Sequence, residues 1–470
     1  MQHNLGDYFN RNLDFPPDGL PLHRKQEFPP PNLDQCHRYH GRIINTDGQE
    51  IVDDVVVPLN GDLSDEEDCY SSDESGNHNG NDNMGTSERT AATSPSSHAA
   101  DHAYWLQREL REAIYGGVWL AQILERIPTN DGSLRWRATP EKAAIKIMDF
   151  HKIMEEDKTS AERPLQEIGA MQHLANHIAL GQGIAYMEAA SDMSAAQRRE
   201  RAIQAMMEHH VMTPFDVLSD DSNIYLVMPF CGGGELFDAL ESRKQFPADE
   251  ARFWFKQVLK GVESLQRAGI CHRDMSLENL ITTSDNVALI IDYGMTFLIP
   301  QVVDDSGRRQ RCLTRPDVSC GKVSSYNNYG ITEVALVCIT YTIYVTFRFS
   351  VINCFKSHKQ PYYASPEIVK NIEPFDGHAV DVWALGPILF MMVCGFPPWE
   401  RASSTDERYV SFSAGHFAAI AEHWNLGLSS DLVDLLKRLF WANPKQRLSL
   451  QQIRNHPWMN GPEQRPPLPP

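Results

Sequence analysis

Two short runs constrain this chain more than any other feature. Residues 271–279 read Cys-His-Arg-Asp-Met-Ser-Leu-Glu-Asn, and Asp292-Tyr293-Gly294 follows Asp274 at an interval of 18 residues. The first run sets a carboxylate, Asp274, five residues before a carboxamide, Asn279. The second adds another carboxylate, Asp292, on a turn that glycine lets bend sharply. Hard oxygen donors of this kind suit a small divalent cation, and a carboxylate beside them suits taking a proton from a hydroxyl. Either run alone recurs by chance. The ordered pair is specific.

Composition narrows the setting. The 470 residues carry a formal charge of -19, spread unevenly: residues 1–100 hold 18 acidic and 6 basic side chains, a net of -12, and the remaining 370 carry -7. Residues 63–85 are rich in Asp, Glu, Ser, Asn and Gly, too polar to bury enough apolar surface to offset chain entropy. The expectation is a disordered acidic tail over residues 1–103. No basic stripe argues for a nucleic-acid partner. Nine cysteines at irregular spacing, with no C-x-x-C, suit reduced thiols and a cytoplasmic or nuclear setting. The polar N-terminus shows no secretory signal. The most apolar stretch, residues 334–347, is too short to span a bilayer comfortably, so no membrane association is expected.

The folded part is expected over residues 104–459. Its front half reads as strand-rich, with short apolar runs at 143–148 and 224–228, the second closed by Pro229. Residues 167–174 read as a helix. The back half is mostly helical: 248–267, 380–394 and 430–441 repeat apolar residues with a 3.6-residue period. A polar helical segment around 194–210 reads as an insertion on the surface. Residues 460–470 form a proline-rich tail, read as short and frayed.

The two opening runs resemble the H-R-D-x-x-x-x-N and D-F-G elements of a protein kinase. Other landmarks fall in place. Lys146, in Ala-Ala-Ile-Lys, resembles the V-A-I-K strand, and Glu167, 21 residues on, is the candidate partner. Tyr115-Gly116-Gly117-Val118 matches the end of the glycine-rich loop. Met228-Pro229-Phe230-Cys231 resembles the hinge, followed by Gly232-Gly233-Gly234-Glu235. Ser365-Pro366-Glu367, Asp381-Val382-Trp383 and Arg447 complete the large-lobe pattern, with Arg447 expected to pair with Glu367 in a buried ion pair. Phe396-Pro397-Pro398-Trp399 and the closing His456-Pro457-Trp458-Met459 look most like the calmodulin-dependent kinase group of Ser/Thr kinases.

The resemblance implies an α+β, two-lobed fold: a small antiparallel β-sheet lobe with one helix (about 104–230) and a larger, mainly helical lobe (about 231–459). It implies ATP and Mg²⁺ in the cleft between the lobes. Lys146, Gly116, Gly117 and Val118 would meet the phosphates; Met228, Phe230 and Cys231 would meet adenine. Glu235 would meet ribose or substrate, and Asn279 and Asp292 would ligate the metal. Asp274 would accept the proton of a protein Ser or Thr hydroxyl, with Lys146, Glu167 and Asn279 completing the catalytic set. Arg273 suggests an upstream kinase acting on the activation segment, with Thr314 and Ser319 as candidate positions.

Three departures favour a second reading, a scaffold or pseudokinase with little turnover. Arg111 and Ala113 stand where the first two loop glycines belong. Ser276 stands where Ser/Thr kinases place a lysine. Residues 323–360 interrupt a continuous Cys-Gly-Lys…Pro-Tyr-Tyr-Ala-Ser-Pro-Glu activation segment. Their removal restores the register, and the Val-Ser start and Gln end are compatible with splice-site codons. The insert reads as a translated intron, with a true long loop as the alternative.

Overall fold

The structure, a computed structural model, describes residues 22–23, 26–44, 50–59, 100–127, 135–155, 163–181, 193–303, 309–314, 361–370 and 374–467. The chain divides into two compact units. One comprises Leu33–Lys152 and Asp216–Val227; the other comprises Met1–Asn32, Ile153–Phe215 and Met228–Pro470. A short first strand, β1 (Leu22–His23), belongs to the second unit and pairs in parallel with Leu313–Thr314.

The first unit is a closed barrel. Its strands are β2 (Asp34–Ile44), β3 (Glu50–Pro58), β4 (His102–Ala113), β5 (Gly116–Ile127), β6 (Arg135–Asp149), β7 (Asp216–Ser219) and β8 (Asn223–Pro229), in the order β2-β3-β4-β5-β6-β8-β7. The pairs β2–β3, β3–β4, β4–β5, β5–β6 and β7–β8 are antiparallel, whereas β2 and β7 close the barrel in parallel. Closure removes the exposed edges that an open sheet would leave. The interior gathers Val55, Val57, Ala103, Leu124 and Trp136, with Tyr39 and Trp105 packed against them. Buried His102 is held from both sides, by Asp216 at 2.9 Å and Asp101 at 3.0 Å.

Two expectations are corrected here. The span 1–103 is not a tail throughout, because residues 34–44 and 50–58 are strands of the barrel. The nine residues of β3 hold five Ile or Val side chains, and cross-strand packing outweighs the acidity of their neighbours. The small lobe is likewise not a purely antiparallel sheet starting near residue 104. Residues 60–99 lie outside the described set.

The second unit is mainly helical. Helix α1 (Phe150–Glu155) leads out of β6, and α2 (Pro164–Gly181) and α3 (Ala195–His209) follow. Ser194 caps α3 with a reciprocal Ser194–Gln197 capping box. Helix α3 is not a surface addition. It buries Arg199 and Met206, and past its end Met212 N–H donates to Ile290 O (2.9 Å). Helices α4 (Leu236–Arg243) and α5 (Ala248–Arg267) follow the strand β9 (Gly234–Glu235). Then come β10 (Ile270–Cys271), β11 (Leu280–Thr282), β12 (Ala288–Ile290), β13 (Phe297–Leu298), β14 (Gln301–Val303), β15 (Arg309–Arg311) and β16 (Leu313–Thr314).

The helix Gly377–Cys394 is buried along nearly its whole length. Among the described residues it is the one helix long and apolar enough to cross a membrane, and 94% of it is buried inside the protein. Its Trp383 and Phe390 lie in an aromatic cluster with Trp399, Phe412, Phe417 and Phe440, ring centroids 4.9–6.2 Å apart in the closest pairs. The described tail residues 461–467 are not frayed. Arg252 donates to Pro462 O, Gln464 N–H to Asp249 O (3.3 Å), and Asn286 Nδ2 to Pro466 O (2.8 Å).

Candidate active site

The two diagnostic runs sit at the same end of one hairpin. Strands β11 and β12 pair antiparallel, Leu280 opposite Ile290. Asn279 therefore immediately precedes one strand, and Asp292 lies two residues beyond the other. Ile291 N–H donates to Asn279 O (3.0 Å), closing the junction. Asn279 Nδ2 donates to Asp274 O (2.7 Å) and Asp274 Oδ2 (3.1 Å), so the amide orients the carboxylate. Asp274 and Asp292 are exposed and Asn279 is half-buried.

The loop carrying Asp274 is held by a buried acid. Asp381 accepts the N–H groups of His272 (2.8 Å) and Arg273 (2.9 Å). Burial pushes its carboxyl pKa up. Arg273 adopts φ 65° and Asp292 φ 64°, left-handed backbone that a side chain takes only under constraint. Asp381 supplies the constraint at Arg273, whose Nε also donates to Met295 O (2.6 Å). At Asp292 a carboxylate oxygen accepts Gly294 N–H (3.2 Å). His272 is fully enclosed, donates Nε2–H to Ile291 O (3.1 Å), and is driven toward its neutral form by burial. Tyr293 replaces the usual phenylalanine without an orphaned hydroxyl, since its Oη donates to Ile290 O (3.0 Å).

The expected hinge attaches to the same hairpin. Ile281 pairs with Glu235, Gly233 N–H donates to Thr282 O (2.9 Å), and Thr282 Oγ1 donates to Gly234 O (3.0 Å). A Cβ on Gly233 would meet Thr282 Oγ1 at 2.4 Å, so this crossing requires glycine. Met228 and Phe230 are half-buried. Burial raises the Cys231 thiol to about 12, which keeps it protonated and unreactive.

In the barrel, Gly116, Gly117 and Val118 begin β5 and face Met148, Ile147 and Lys146 of β6. Lys146 is thus directly opposite Val118. Arg111 and Ala113, in the positions of the missing glycines, are ordinary ladder residues of β4, paired with Val118 and Gly116. A Cβ on Gly116 would lie 2.1 Å from Ile147 O, so Gly116 serves the close approach of β6. Glu167 is buried in the first turn of α2, in the unit that carries Asp274. Arg163 N–H, one turn earlier, donates to Gly294 O (3.4 Å) and places the start of α2 at the Asp292-Tyr293-Gly294 turn.

In the large lobe, Arg447 and Glu367 form the expected pair as a two-pronged contact, 2.7 Å on each prong. Arg447 also donates to Ala379 O, Ala442 O and Trp441 O, and stacks 4.8 Å over Trp383. Thr314 is a poor modification site: it is 2% exposed, and its backbone bridges to Phe375. Ser319 and the insert 323–360 lie outside the described residues.

Some contributors carry weak sequence signals. Tyr363 Oη accepts Leu277 N–H (3.3 Å), and Ser276 Oγ accepts Asn279 N–H (3.3 Å). The hydroxyl at 276 therefore braces the loop that would otherwise carry a lysine. Among the described residues no group of three or more His, Cys, Asp or Glu side chains could hold a metal ion. A carboxylate and a carboxamide on a clamped hairpin nonetheless suit Mg²⁺, which takes its other ligands from water and phosphate.

The protein kinase domain family profile matches residues 182–330 and 354–459, more than half of the chain. The match takes in α3 and skips 331–353, within the expected insert; Lys146 and Glu167 lie before it. The chain is 29% identical over 266 residues to the probable serine/threonine-protein kinase MARK-C of Dictyostelium discoideum, covering 56% of this chain and 27% of that protein. It is 27% identical over 264 residues to the SNF1-related protein kinase catalytic subunit alpha KIN12 of Arabidopsis thaliana, covering 56% and 42%. It is 28% identical over 256 residues to the calcium/calmodulin-dependent protein kinase cmkB of Emericella nidulans, covering 54% and 51%. The aligned region thus spans about a quarter to a half of these relatives' length. The family match and the clamped Asp274–Asn279–Asp292 hairpin agree: this chain belongs to the protein kinase domain family.

Proposed function

We propose that the protein transfers the γ-phosphoryl group of ATP to Ser or Thr hydroxyls of protein substrates. The observation that carries this is the hairpin that brings Asp274, Asn279 and Asp292 to one end, each held by named hydrogen bonds. Asp274 takes the hydroxyl proton and aligns the oxygen, and Asn279 fixes the carboxylate that does so. With its amide nitrogen used on Asp274, Asn279 offers its carbonyl oxygen, and Asp292 its carboxylate, to Mg²⁺. The bound ion neutralises charge on the β- and γ-phosphates. In this reading Lys146 would supply an ammonium to the α- and β-phosphates, with Glu167 as its candidate partner. Gly116, Gly117 and Val118 would meet the triphosphate, Met228, Phe230 and Cys231 adenine, and Glu235 ribose. Free thiols suit a cytoplasmic or nuclear location. An upstream kinase would act on the activation segment at a position other than buried Thr314.

Scaffold function is the second reading. It is favoured by the ladder role of Arg111 and Ala113 and by Ser276 replacing a cation. Transfer of label from radioactive ATP to a generic peptide, by the full chain and by a variant lacking 323–360, separates the two. Catalysis predicts incorporation that falls about 10²–10⁴-fold in Asp274→Asn. Equal signal from parent and Asp274→Asn identifies the scaffold. The insert is tested by amplifying cDNA across it: a single product that retains the insert defeats the intron reading.

A further inference from the structure

Residues 26–32 lie along one stripe of α2. Glu27 pairs with Arg163 at 2.9 Å, and Phe28 N–H donates to Gln166 Oε1 (3.3 Å). Phe28 is 5% exposed, its ring 5.7 Å from that of His173. Asn32 N–H donates to Gln172 Oε1 (2.9 Å), and Gln172 Nε2 returns a bond to Asn32 O (2.7 Å). Gln166, Gly169, Gln172 and His173 follow at steps of three or four residues, so neighbouring side chains form an oblique ridge along which the segment crosses α2, with Arg163 just before its first turn. At the centre of that ridge, a Cβ on Gly169 would come to 3.0 Å from both Phe28 Cβ and Pro29 O. A mid-helix glycine weakens α2 by itself, and here it makes room for the crossing segment. The same segment reaches the other side of the site, where Gln26 and Leu298 exchange backbone hydrogen bonds (3.0 and 3.3 Å) four residues after Gly294.

We propose that residues 26–32 act as an intramolecular clasp that positions α2, and with it Glu167, against the Asp292-Tyr293-Gly294 turn. Phe28 is the anchor and Gly169 its seat. The segment ties both partners of the Arg163–Gly294 contact, α2 through Glu27, Phe28 and Asn32, and the strand after Gly294 through Gln26. Its consequence for turnover rests on the kinase reading, but its existence does not.

The test uses the full chain with Phe28→Ala, Gly169→Leu and Phe28→Leu. Leucine at 169 favours the helix itself, so a loss of order there reports the displaced clasp rather than a weakened α2. Hydrogen exchange should quicken about tenfold at residues 26–32 and 164–175 in Phe28→Ala and Gly169→Leu, and stay at the parental rate in Gly377–Cys394. Phe28→Leu should keep most of the protection. In the same variants kcat should fall about tenfold with little change in the KM for the peptide. Parental exchange in α2 for both disruptive variants overturns the clasp. The expected exchange pattern in a parent without turnover upholds the clasp and removes the kinase reading.

Discussion

Arg447 shows how one side chain can hold a large lobe together. Its guanidinium satisfies the Glu367 carboxylate and three backbone carbonyls while buried to 1% exposure. Such a pair owes its worth to completeness: removing one partner leaves the other charged, buried and unmatched. Arg447→Met should therefore cost about 3–5 kcal/mol in urea unfolding. Glu367→Gln, which keeps a hydrogen-bonding group in place, should cost clearly less. Equal and small losses in the two would show that the pair is screened by water. Asp381 works by the same logic nearer the chemistry, since its two oxygens are spent on the N–H groups of His272 and Arg273. Both residues could be named from sequence because each belongs to a short local pattern. Tyr363 and Ser276 as loop braces could not, since their partners depend on how distant segments meet.

At the scale of elements, the β11–β12 hairpin carries the site at one end and is clamped at the other. Its turn residue Asn286 has φ 56° and donates Nδ2 to Pro466 O (2.8 Å) and Pro467 O (3.3 Å). Gln257 of α5 bonds both Asn286 O (3.2 Å) and Ala288 N–H (2.8 Å). Asn286→Asp tolerates the backbone but turns a donor toward two carbonyls into a carboxylate. The outcome should be release of residues 462–467, seen as faster limited proteolysis there, with a stability loss of about 1–3 kcal/mol. Unchanged cleavage would mean that the Arg252 bond to Pro462 O and the Lys256–Glu463 ion pair hold the segment without help. The elements themselves were unevenly legible. Helix α5 followed from periodicity, and the residues flanking the hairpin from motif, but the hairpin itself did not. The strands β2 and β3 did not, because the acidity of residues 1–100 masks a nine-residue strand whose stability comes from its neighbours in the barrel. Helix α3 was legible as a helix, but its place in the domain was not, because its buried face is short and its sequence polar.

For the whole molecule, wholly or partly buried imidazoles set a pH dependence. Burial, then the charges of His173, His209 and Arg267, lowers the His177 pKa from 6.5 to about 4. Burial also lowers His209, His210 and His378. A depressed folded-state value means that the unfolded chain binds the proton first. The stability is thus complete above pH 6.5 and is lost as pH falls toward 4. For His177 the loss is on the order of 3 kcal/mol. Thermal melts between pH 7.5 and 4 should show this decline, and His177→Asn should flatten part of it. A parental melting temperature that is level across the window would rule out the half-buried neutral imidazole.

The sequence by itself determined the family and singled out Asp274, Asn279 and Asp292 as the proposed reaction centre, because the three lie within one hairpin and its flanks. Chemistry confined to so short a stretch of chain leaves a local pattern of residue types and spacings. Only the tertiary structure decided that residues 34–58 close a barrel, that 26–32 cross α2 at Gly169, and that 462–467 bind the turn at Asn286. Those contacts join segments more than a hundred residues apart. Their energy comes from complementary surfaces, for which no single stretch of sequence carries a code.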